Sequence, residues 1–462
     1  MRIEKDIISE ISLDDNTIWG INTQRALENF GQINEVYEPL LIKSYLMVKK
    51  ACAKTNFNLG YLQSDLFKYI DSAIDDLLYR ESYTHLIPIN PLSGGAGTSL
   101  NMNLNEIIAN KALEKANKKF GDYDFIHPLH HINLHQSTND TYPSALKIAI
   151  LFYLKDLEES LVKLQTAFQQ KEKDWAGIIK LGRTELQDAL PITVGMQFSA
   201  YSETIARDRW RIFKARERIK VLNIGGTAIG TGFNAPQKYI FKVIEELKNL
   251  TGLNITRAEN MIDATQNLDS IVEVSGLLKT TAVNFLKISE DLRLLSSGPD
   301  GGFNEYILPA MQEGSTIMPG KTNPVILEFI SQNALLIMGN DNTISHASGL
   351  GNLELNQFLP LISHLILKNL KLLLLSANKF TDLILNLKIN QNSIKKNLTN
   401  SIAILTYLSQ YIGYEKASEV YAEHTKTSKP VKDIILDMKL LEKTELDNLL
   451  SSNKICQMGI KK

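Results

Sequence analysis

The segment LKDLEESLVKLQTAF, residues 154–168, repeats apolar side chains at intervals of three and four residues. Leu154, Leu157, Leu161, Leu164 and Phe168 share one stripe of an α-helix, because the helix completes a turn in about 3.6 residues. The residues between them are mostly charged or polar. The segment therefore predicts a long amphipathic helix whose apolar stripe is buried in the core.

Two later segments extend this pattern along the chain. Ile205, Ile212 and Ile219 recur every seven residues among arginines and lysines, as in a long helix with one buried seam. A third stripe comprises Val274, Leu278, Phe285, Ile288, Leu292 and Leu295. Strand signals are sparse, so the sequence predicts a mainly α protein with a central bundle of long helices.

The sequence pattern changes at two places. Up to about residue 137, short segments alternate with turn signals, whereas the helical stripes occupy the region up to about residue 390. Shorter, more polar helical segments follow. We predict an N-terminal domain of residues 1–137, a central helical-bundle domain of residues 138–390 and a small C-terminal helical domain of residues 391–462.

The composition limits the classes of partner. The 462 residues include 50 Lys plus Arg and 51 Asp plus Glu, a net charge of -1, so electrostatics favour neither nucleic acid nor an anionic membrane. Cys52 and Cys456 have no metal-ligand spacing. The opening MRIEKDIISEISLDD is too charged for a signal peptide, and no apolar run approaches the length of a membrane span. We expect a cytoplasmic protein with a small-molecule substrate.

The stretch GSTIMPGKTNP, residues 314–324, predicts a loop. Proline lacks the backbone donor that helices and strands need, and glycine adds backbone freedom. The loop carries hydroxyl groups, a lysine and an asparagine, so one flexible segment holds a potential base, a cation and an amide donor. A plain connector between two helices is the alternative.

Two motifs resemble cofactor sites but are better explained otherwise. The glycines of IGGTAIGTGFNA, residues 224–235, follow a charged helix rather than a strand, so we interpret them as a turn with close backbone approach, not as a dinucleotide site. His131 and His135 have the spacing of two metal ligands on one helical face. Pro128 and the loop-like polarity of residues 133–136 argue against one continuous helix, and no carboxylate or cysteine with matching spacing completes the site. We predict no metal site.

Four separated segments are rich in hydroxyl and amide side chains. They are GGAGTSLNMN (94–103), QSTND (136–140), GRTELQD (182–188) and the loop 314–324. Any one of them is explained equally well as a helix cap. Together they supply what a small dicarboxylate requires, because each carboxylate oxygen takes several donors and Ser, Thr and Asn provide them without excess charge.

These motifs resemble those of the aspartase/fumarase superfamily. GSTIMPGKTNP resembles the signature GSSxMPxKxNP, with Thr316 in place of the second serine, and HQSTND resembles SQSTND. GAGTSLNMN and GRTELQDALP resemble two further family segments, and the similarity runs in order nearly end to end. The resemblance implies a three-domain homotetramer around a central helical bundle, with active sites shared between three subunits and no organic cofactor.

The resemblance also assigns roles to residues of this chain. Ser315 would be the general base that takes a proton from the carbon beside a carboxylate. Thr98, Ser137, Thr138 and Thr316 would hold the carboxylate on which the negative charge then develops. Lys321 and Asn323 would hold the other carboxylate, and Asn139, Thr184 and Glu185 would lie near the departing amine. As a poor base, Ser315 would need backbone donors and positive charge to favour its alkoxide.

Three positions depart from the family pattern. Residue 185 is Glu where Gln or His is usual, the segment His127-Pro-Leu-His130 lacks an amide and an acid, and His135 replaces a small residue. A carboxylate at 185 suits an ammonium group but would repel a dianion. A solvated or arginine-paired Glu185 outside the site is the alternative.

The expected activity is elimination of ammonia from L-aspartate to give fumarate. LPAMQEG before the loop and the segments TAIGTGFNA and ATQNLD favour this over hydration of fumarate to malate. A lyase acting on an N-substituted or otherwise modified aspartate is a further alternative, for which Glu185 is the one indication. A catalytically inactive structural homologue is disfavoured by the intact Ser315, Lys321 and Asn323.

Overall fold

The structure, a computed structural model, describes residues 1–31, 33, 35–79, 84–457 and 459. Helices dominate it, which confirms the predicted fold class. The helices are α1 (Ile21–Phe30), α2 (Pro39–Asn58), α3 (Ser64–Tyr79), α4 (Thr98–Lys115), α5 (Thr138–Asp174), α6 (Val194–Ile219), α7 (Gln237–Thr251), α8 (Met261–Gln266), α9 (Asp269–Leu295), α10 (Val325–Gly349), α11 (Leu359–Asn386), α12 (Gln391–Thr399), α13 (Ala403–Ile412), α14 (Tyr414–Thr427), α15 (Val431–Asp437), α16 (Lys443–Leu449) and α17 (Ser452–Ile455).

Short strands separate some of these helices. They are β1 (Arg2–Lys5), β2 (Glu10–Leu13), β3 (Ile179–Thr184), β4 (Gln187–Thr193), β5 (Val221–Leu222), β6 (Thr256–Arg257), β7 (Tyr306–Ile307) and β8 (Lys388–Ile389). Within the described residues they pair two by two: β1 with β2, β3 with β4, β5 with β6 and β7 with β8. Of these four pairs, β5–β6 is parallel and the others are antiparallel.

The predicted apolar stripes lie in three of the long helices. The stripe from Leu154 to Phe168 lies in α5, and its five side chains are fully buried. The seam that begins at Ile205 lies in α6, and the stripe from Val274 to Leu295 lies in α9, with every member buried. Burial of these stripes confirms the interpretation that they form the core.

The chain divides into two compact units, each drawn from separate stretches. The first unit comprises Met1–Leu157, Arg211–Lys279 and Leu336–Leu373. In it α2 packs against α3 and α7, while α1 and α3 pack against α4. Tyr45 and Tyr142 meet edge to face in its interior, with ring centroids 5.9 Å apart. The division into three domains at 137 and 390 stays a prediction.

The second unit comprises Glu158–Trp210, Thr280–Leu335 and Leu374–Lys462. An aromatic cluster fills part of its core: Trp175 meets Phe198 edge to face at 5.0 Å, and Phe168 meets Phe380 in the same way at 5.8 Å. A second core joins the short helices α13 to α17, where Leu408, Val420, Val431, Ile435 and Leu446 are buried together. The hairpin of β3 and β4 packs against α12, α13 and α17.

One expectation about apolar runs is wrong. Helix α11 is long and apolar enough to cross a membrane by length and composition alone. In its most apolar window, 56% of the residues are buried inside the protein. Membrane-spanning helices and buried core helices pass the same test of length and composition, because both place apolar side chains around most of the helix. Lys368 and Lys371 interrupt the apolar residues of α11, so the sequence contains no uninterrupted apolar run there.

Candidate active site

Two helices of the first unit begin at predicted site residues, α4 at Thr98 and α5 at Thr138. Gly97 precedes α4 with φ of 96°, and a Cβ there would lie 2.3 Å from the Tyr142 ring of α5. Glycine is therefore required at 97, and the start of α4 lies against α5. Free N–H groups and the helix dipole make each of these ends a favourable place for an anion.

Ser137 and Asp140 cap α5. Ser137 Oγ accepts the N–H of Asn139 at 3.2 Å, and the N–H of Ser137 donates to Asp140 Oδ1 at 2.9 Å. The other oxygen of Asp140 accepts the N–H groups of Gly225 at 3.0 Å and Thr227 at 3.1 Å. Asp140 is fully buried, and burial raises its pKa to about 6. This carboxylate ties the QSTND segment to the glycine-rich segment.

The glycine-rich segment is a close-packed turn, as the sequence indicated. A Cβ on Gly230 would lie 2.4 Å from the backbone of Met261, so the two backbones touch. Asn139 Nδ2 donates to the carbonyl of Ala228 at 2.7 Å, and the carbonyl of Asn139 accepts from Asn223 at 2.9 Å. The turn thus supports the start of α5, and Asn139 uses one of its amide hydrogens to hold it.

A buried lysine lies behind Thr138. Lys49 of α2 is 1% exposed, and its ammonium donates to Asn101 Oδ1 at 2.6 Å, Gln136 Oε1 at 2.9 Å and Asn133 Oδ1 at 3.1 Å. Asn101 Nδ2 in turn donates to Thr138 Oγ1 at 2.9 Å. Burial lowers the pKa of Lys49 to about 7. This network could not be predicted from the sequence, because its members are distant in the chain.

The loop 314–324 of the second unit is closed at its neck. The N–H of Gly314 donates to the carbonyl of Lys321 at 2.8 Å, and Asn323 Nδ2 donates to the carbonyl of Gly314 at 2.8 Å. A Cβ on Gly314 would lie 2.6 Å from that Lys321 carbonyl, so the neck requires glycine. Helix α10 begins at Val325, directly after Pro324.

Ser315 Oγ accepts two backbone hydrogen bonds inside this loop. The N–H of Ile317 donates at 3.2 Å and the N–H of Met318 at 2.9 Å. Hydrogen bonds to a charged group stabilise it by about 1.5–3 kcal/mol each, so both would favour an alkoxide at Ser315 over the alcohol. The backbone donors that a serine base would need are therefore present.

Two cavities meet at the loop. One of about 630 Å³ is lined by Ser315, Thr316 and Lys321, and the other, of about 650 Å³, by Lys321, Asn323 and Arg293. Thr316 and Lys321 are exposed, while Ser315 and Asn323 are half-buried. In the described residues the Lys321 ammonium has no hydrogen-bond or ion-pair partner, which leaves its charge available to an anion.

Thr184 and Glu185 lie at the exposed tip of the β3–β4 hairpin. Glu185 has φ of 54° and Leu186 has φ of 64°, so the two-residue loop is a type I′ turn, which normally takes Asn and Gly. Glu185 has no ion-pair partner among the described residues, so it is solvated here rather than arginine-paired. Two non-glycine residues with positive φ make this tip a strained conformation.

The base of this hairpin is held by a buried charge. Glu305 is 0% exposed. Its carboxylate forms ion pairs with Lys180 at 3.1 Å and with Arg183 at 2.8 Å. The Arg183 guanidinium also stacks over Phe303, 4.3 Å from the ring centre. Arg183 directly precedes Thr184, so Glu305 positions the hairpin tip. Sequence reasoning missed Glu305, because Lys180 and Arg183 lie far from it in the chain.

Two histidines of residues 127–135 accept local backbone hydrogen bonds, and a third contacts a distant side chain. His127 Nδ1 accepts the N–H of Leu129 at 3.0 Å, and His131 Nδ1 accepts the N–H of His127 at 2.8 Å. His135 contacts Asn56 Oδ1 at 2.7 Å. Burial lowers the pKa of all three. Among the described residues, no group of three or more His, Cys, Asp or Glu side chains is arranged to hold a metal ion.

The predicted site residues fall into groups. The first unit brings Thr98, Ser137, Thr138 and Asn139 to the starts of α4 and α5, whereas the second unit carries the remaining ones on the hairpin and the loop. That second group comprises Thr184, Glu185, Ser315, Thr316, Lys321 and Asn323. Each unit by itself therefore presents donors for an anion, and the second also presents the serine.

Family models match most of the chain. A model described as Lyase matches residues 10–339, and one described as Fumarase C C-terminus matches residues 404–457. An aspartate ammonia-lyase of Helicobacter pylori is 42% identical over 97% of this chain and 96% of its own length. One from a Bacillus species is 40% identical over 100% of this chain and 98% of its own length.

Solved structures show the same similarity. A fumarate lyase:delta crystallin from Brucella melitensis, bound to cobalt, superposes with a TM-score of 0.93 at 37% identity, over 99% of this chain and 100% of that one. A class II fumarase from Schistosoma mansoni superposes with a TM-score of 0.90 at 31% identity, over 98% of this chain and 99% of that one.

Proposed function

Because the chain belongs to the aspartase/fumarase superfamily of lyases, we propose that it eliminates ammonia from L-aspartate to give fumarate. It is a carbon–nitrogen lyase whose reaction is reversible. Curated relatives named aspartate ammonia-lyase, about 40% identical over the full chain, support this substrate over malate. The single structural observation that carries the chemistry is the pair of backbone N–H groups on Ser315 Oγ.

The reaction begins with removal of a proton from the carbon beside a carboxylate. Ser315 as alkoxide takes this proton, and the electron pair moves into the carboxylate to give an aci-carboxylate. Thr98, Ser137, Thr138 and Thr316 donate to that group, where charge is greatest in the transition state. The carbon–nitrogen bond then breaks, and ammonia leaves with the abstracted proton as ammonium, so atoms and charge balance without a co-reactant.

The remaining residues hold the ends of the substrate. Lys321 binds the other carboxylate as a point charge, and Asn323 assists with the amide hydrogen that its bond to Gly314 leaves free. Asn139, Thr184 and Glu185 lie near the amine. The Glu185 carboxylate favours an ammonium group there, whereas it would disfavour a second negative charge.

The active form is proposed to be a homotetramer in which three subunits build each site. Thr98, Thr184, Glu185 and Lys321 are exposed on the single chain, which supports completion of their surroundings by other copies. Apolar side chains are exposed along the long helices as well, among them Val283, Leu294, Leu335, Leu336 and Leu375. We further propose a cytoplasmic location, to which the two unpaired cysteines are suited.

Fumarate absorbs in the ultraviolet, so its formation provides the test. The purified protein is incubated with L-aspartate, with L-malate, and with fumarate plus ammonium. We expect fumarate to form from L-aspartate, and we expect fumarate to be consumed when it is incubated with ammonium. Ser315→Ala should lose turnover with its oligomer intact, whereas Ser418→Ala, which removes an exposed hydroxyl of α14, should match wild type.

Two results would replace the proposal. Turnover of malate in preference to aspartate would make the protein a fumarate hydratase, the activity named for the Schistosoma structure. Fumarate released solely from an N-substituted aspartate would retain the elimination chemistry and change the leaving group. Activity of Ser315→Ala within tenfold of wild type would exclude Ser315 as the base.

A further inference from the structure

The Lys49 amine, charged below its pKa of about 7, is buried and has no carboxylate partner among the described residues. Its hydrogen-bond acceptors are the side-chain oxygens of Asn101, Asn133 and Gln136, and among the described residues it makes no ion pair. The ring of Tyr45 lies 5.5 Å away. A charge held in this way is costly, because burial disfavours the ammonium and amide dipoles offset only part of that cost. No bond in the mechanism above uses it.

Lys49 fixes the direction of the hydrogen bonds around it. An ammonium donates and never accepts, so each amide must turn its oxygen toward Lys49. Asn101 therefore points its NH2 group away, toward Thr138 Oγ1 at 2.9 Å and Asn133 Oδ1 at 3.1 Å. Asn133 cannot reverse this arrangement, since its oxygen also accepts from Asn105 at 3.2 Å.

The direction of these hydrogen bonds also determines the orientation of the Thr138 hydroxyl. Thr138 Oγ1 accepts from Asn101, so its own proton points elsewhere, and within the described residues it has no acceptor. Thr138 is the first residue of α5, where the helix dipole favours negative charge. The chain of donors thus runs from Lys49 through Asn101 to a hydroxyl that can donate at the site.

We propose that Lys49 is a positioning residue that, through Asn101, sets Thr138 as a hydrogen-bond donor to the aci-carboxylate of the substrate. This rests on the proposed elimination from a dicarboxylate. The relay strengthens as charge develops, because consecutive hydrogen bonds polarise one another in a low-dielectric interior. It therefore lowers the barrier more than it tightens substrate binding.

Asn101→Asp tests the direction of the relay without removing the lysine. The introduced carboxylate gives Lys49 an ion pair, which offsets the lost hydrogen bond to Asn133 Oδ1, so the variant should still fold. It cannot donate to Thr138, so the hydroxyl of Thr138 turns its proton inward. We expect kcat to fall roughly ten- to a hundredfold, the effect of one hydrogen bond to a charged group, with a smaller change in KM.

Lys49→Met and Thr138→Val complete a double-mutant cycle. If Lys49 acts through Thr138, the losses in kcat overlap, and the double variant is little worse than Thr138→Val alone. Lys147→Met is the matched control: Lys147 is another buried lysine of the same unit, but it donates to the carbonyl of Val221 and not to the site. It should keep the wild-type kcat.

A binding measurement separates this proposal from the proposed function. Succinate mimics the substrate's two carboxylates, and the nitronate of 3-nitropropionate mimics the aci-carboxylate. Wild type should prefer the nitronate, and Asn101→Asp should lose that preference while still binding succinate. A retained preference, additive losses in the cycle, or unchanged kcat in a folded Asn101→Asp would overturn the relay alone. If wild type bound neither compound, both proposals would fail.

Discussion

Asp140→Asn is expected to remove one hydrogen bond at the start of α5, the bond that the backbone N–H of Ser137 donates. The carboxylate accepts three backbone N–H groups, from Ser137 at 2.9 Å, Gly225 at 3.0 Å and Thr227 at 3.1 Å. An asparagine has one oxygen. If that oxygen points toward Gly225 and Thr227, it keeps the hydrogen bonds from their two N–H groups. The NH2 group of the asparagine then faces the N–H of Ser137, which is left without an acceptor.

The size of the effect depends on two opposing terms. An unsatisfied buried donor costs about 1–3 kcal/mol. Against this, the variant no longer buries a charge: raising the Asp140 pKa from 3.8 to about 6 corresponds to about 3 kcal/mol at neutral pH. The global free energy of unfolding should therefore change little at pH 7, whereas protection of the Ser137 amide should fall roughly five- to 150-fold.

The pH dependence has a definite sign. Because the folded state holds the Asp140 proton more tightly than the unfolded state, this group lowers stability as pH rises from about 4 to about 6, and not above that range. The Asp140→Asn variant should lack this component. On going from pH 4 to pH 7, the free energy of unfolding of the variant should therefore shift by about 2 kcal/mol toward higher stability relative to the shift seen in wild type.

Hydrogen exchange read by mass spectrometry provides the local measurement. Peptides that contain Ser137 should exchange faster, while those with Gly225 and Thr227 keep their protection and act as an internal reference. Asp341→Asn is the control, since Asp341 is a buried carboxylate that accepts from Ser275 and Lys279, away from the predicted site. Unchanged protection at Ser137, or equal losses at all three amides, would refute this reasoning.

Four further expectations concern the site. Lys321→Ala should raise KM far more than it lowers kcat in steady-state kinetics, because the lysine pairs with a carboxylate in ground and transition states alike. Glu185→Gln should reduce kcat/KM for aspartate roughly tenfold to a hundredfold without harming any trace reaction with malate, as expected for a hydrogen bond to a charged group; wild-type kinetics would place Glu185 outside the site. Mixing Ser315→Ala with inactive Thr138→Val should restore part of the activity once subunits exchange, and no recovery after verified exchange would mean that each site comes from one chain. Glu305→Gln should destabilise the protein by about 3–5 kcal/mol, measured by denaturant unfolding, because two buried cations lose their anion.

The helices could be predicted from the sequence because their determinants are local. The stripe from Leu154 to Phe168 needs only the helical period to place five residues in the core. The turn at 185 and 186 could not be predicted, since Glu and Leu are poor residues for a type I′ turn and the pairing of β3 with β4 on either side closes it. Helix α11 was misjudged because scattered polar residues interrupt its apolar run.

The support of the site was hidden for a different reason. Lys49 lies beside Lys50 in the sequence, as two solvated lysines of a helix would, and its partners follow 52, 84 and 87 residues later. Asp140 was visible solely as part of a cap, although its second oxygen binds a segment 85 residues away. Motif residues were found by type and order, whereas the groups that orient them depend on long-range packing.

The bonded neck of the loop 314–324 has a consequence for timing. Gly314 is joined to Lys321 and Asn323, so a displacement of the loop as one body carries the serine and the lysine together. Such displacements take microseconds to milliseconds in enzymes. Lys321 therefore binds the substrate at the same moment as Ser315 reaches it. A molecule that Lys321 has not bound is not exposed to the alkoxide. If the loop opens to release product, the same coupling withdraws the base at that moment, and the rate of opening would then set an upper limit on turnover.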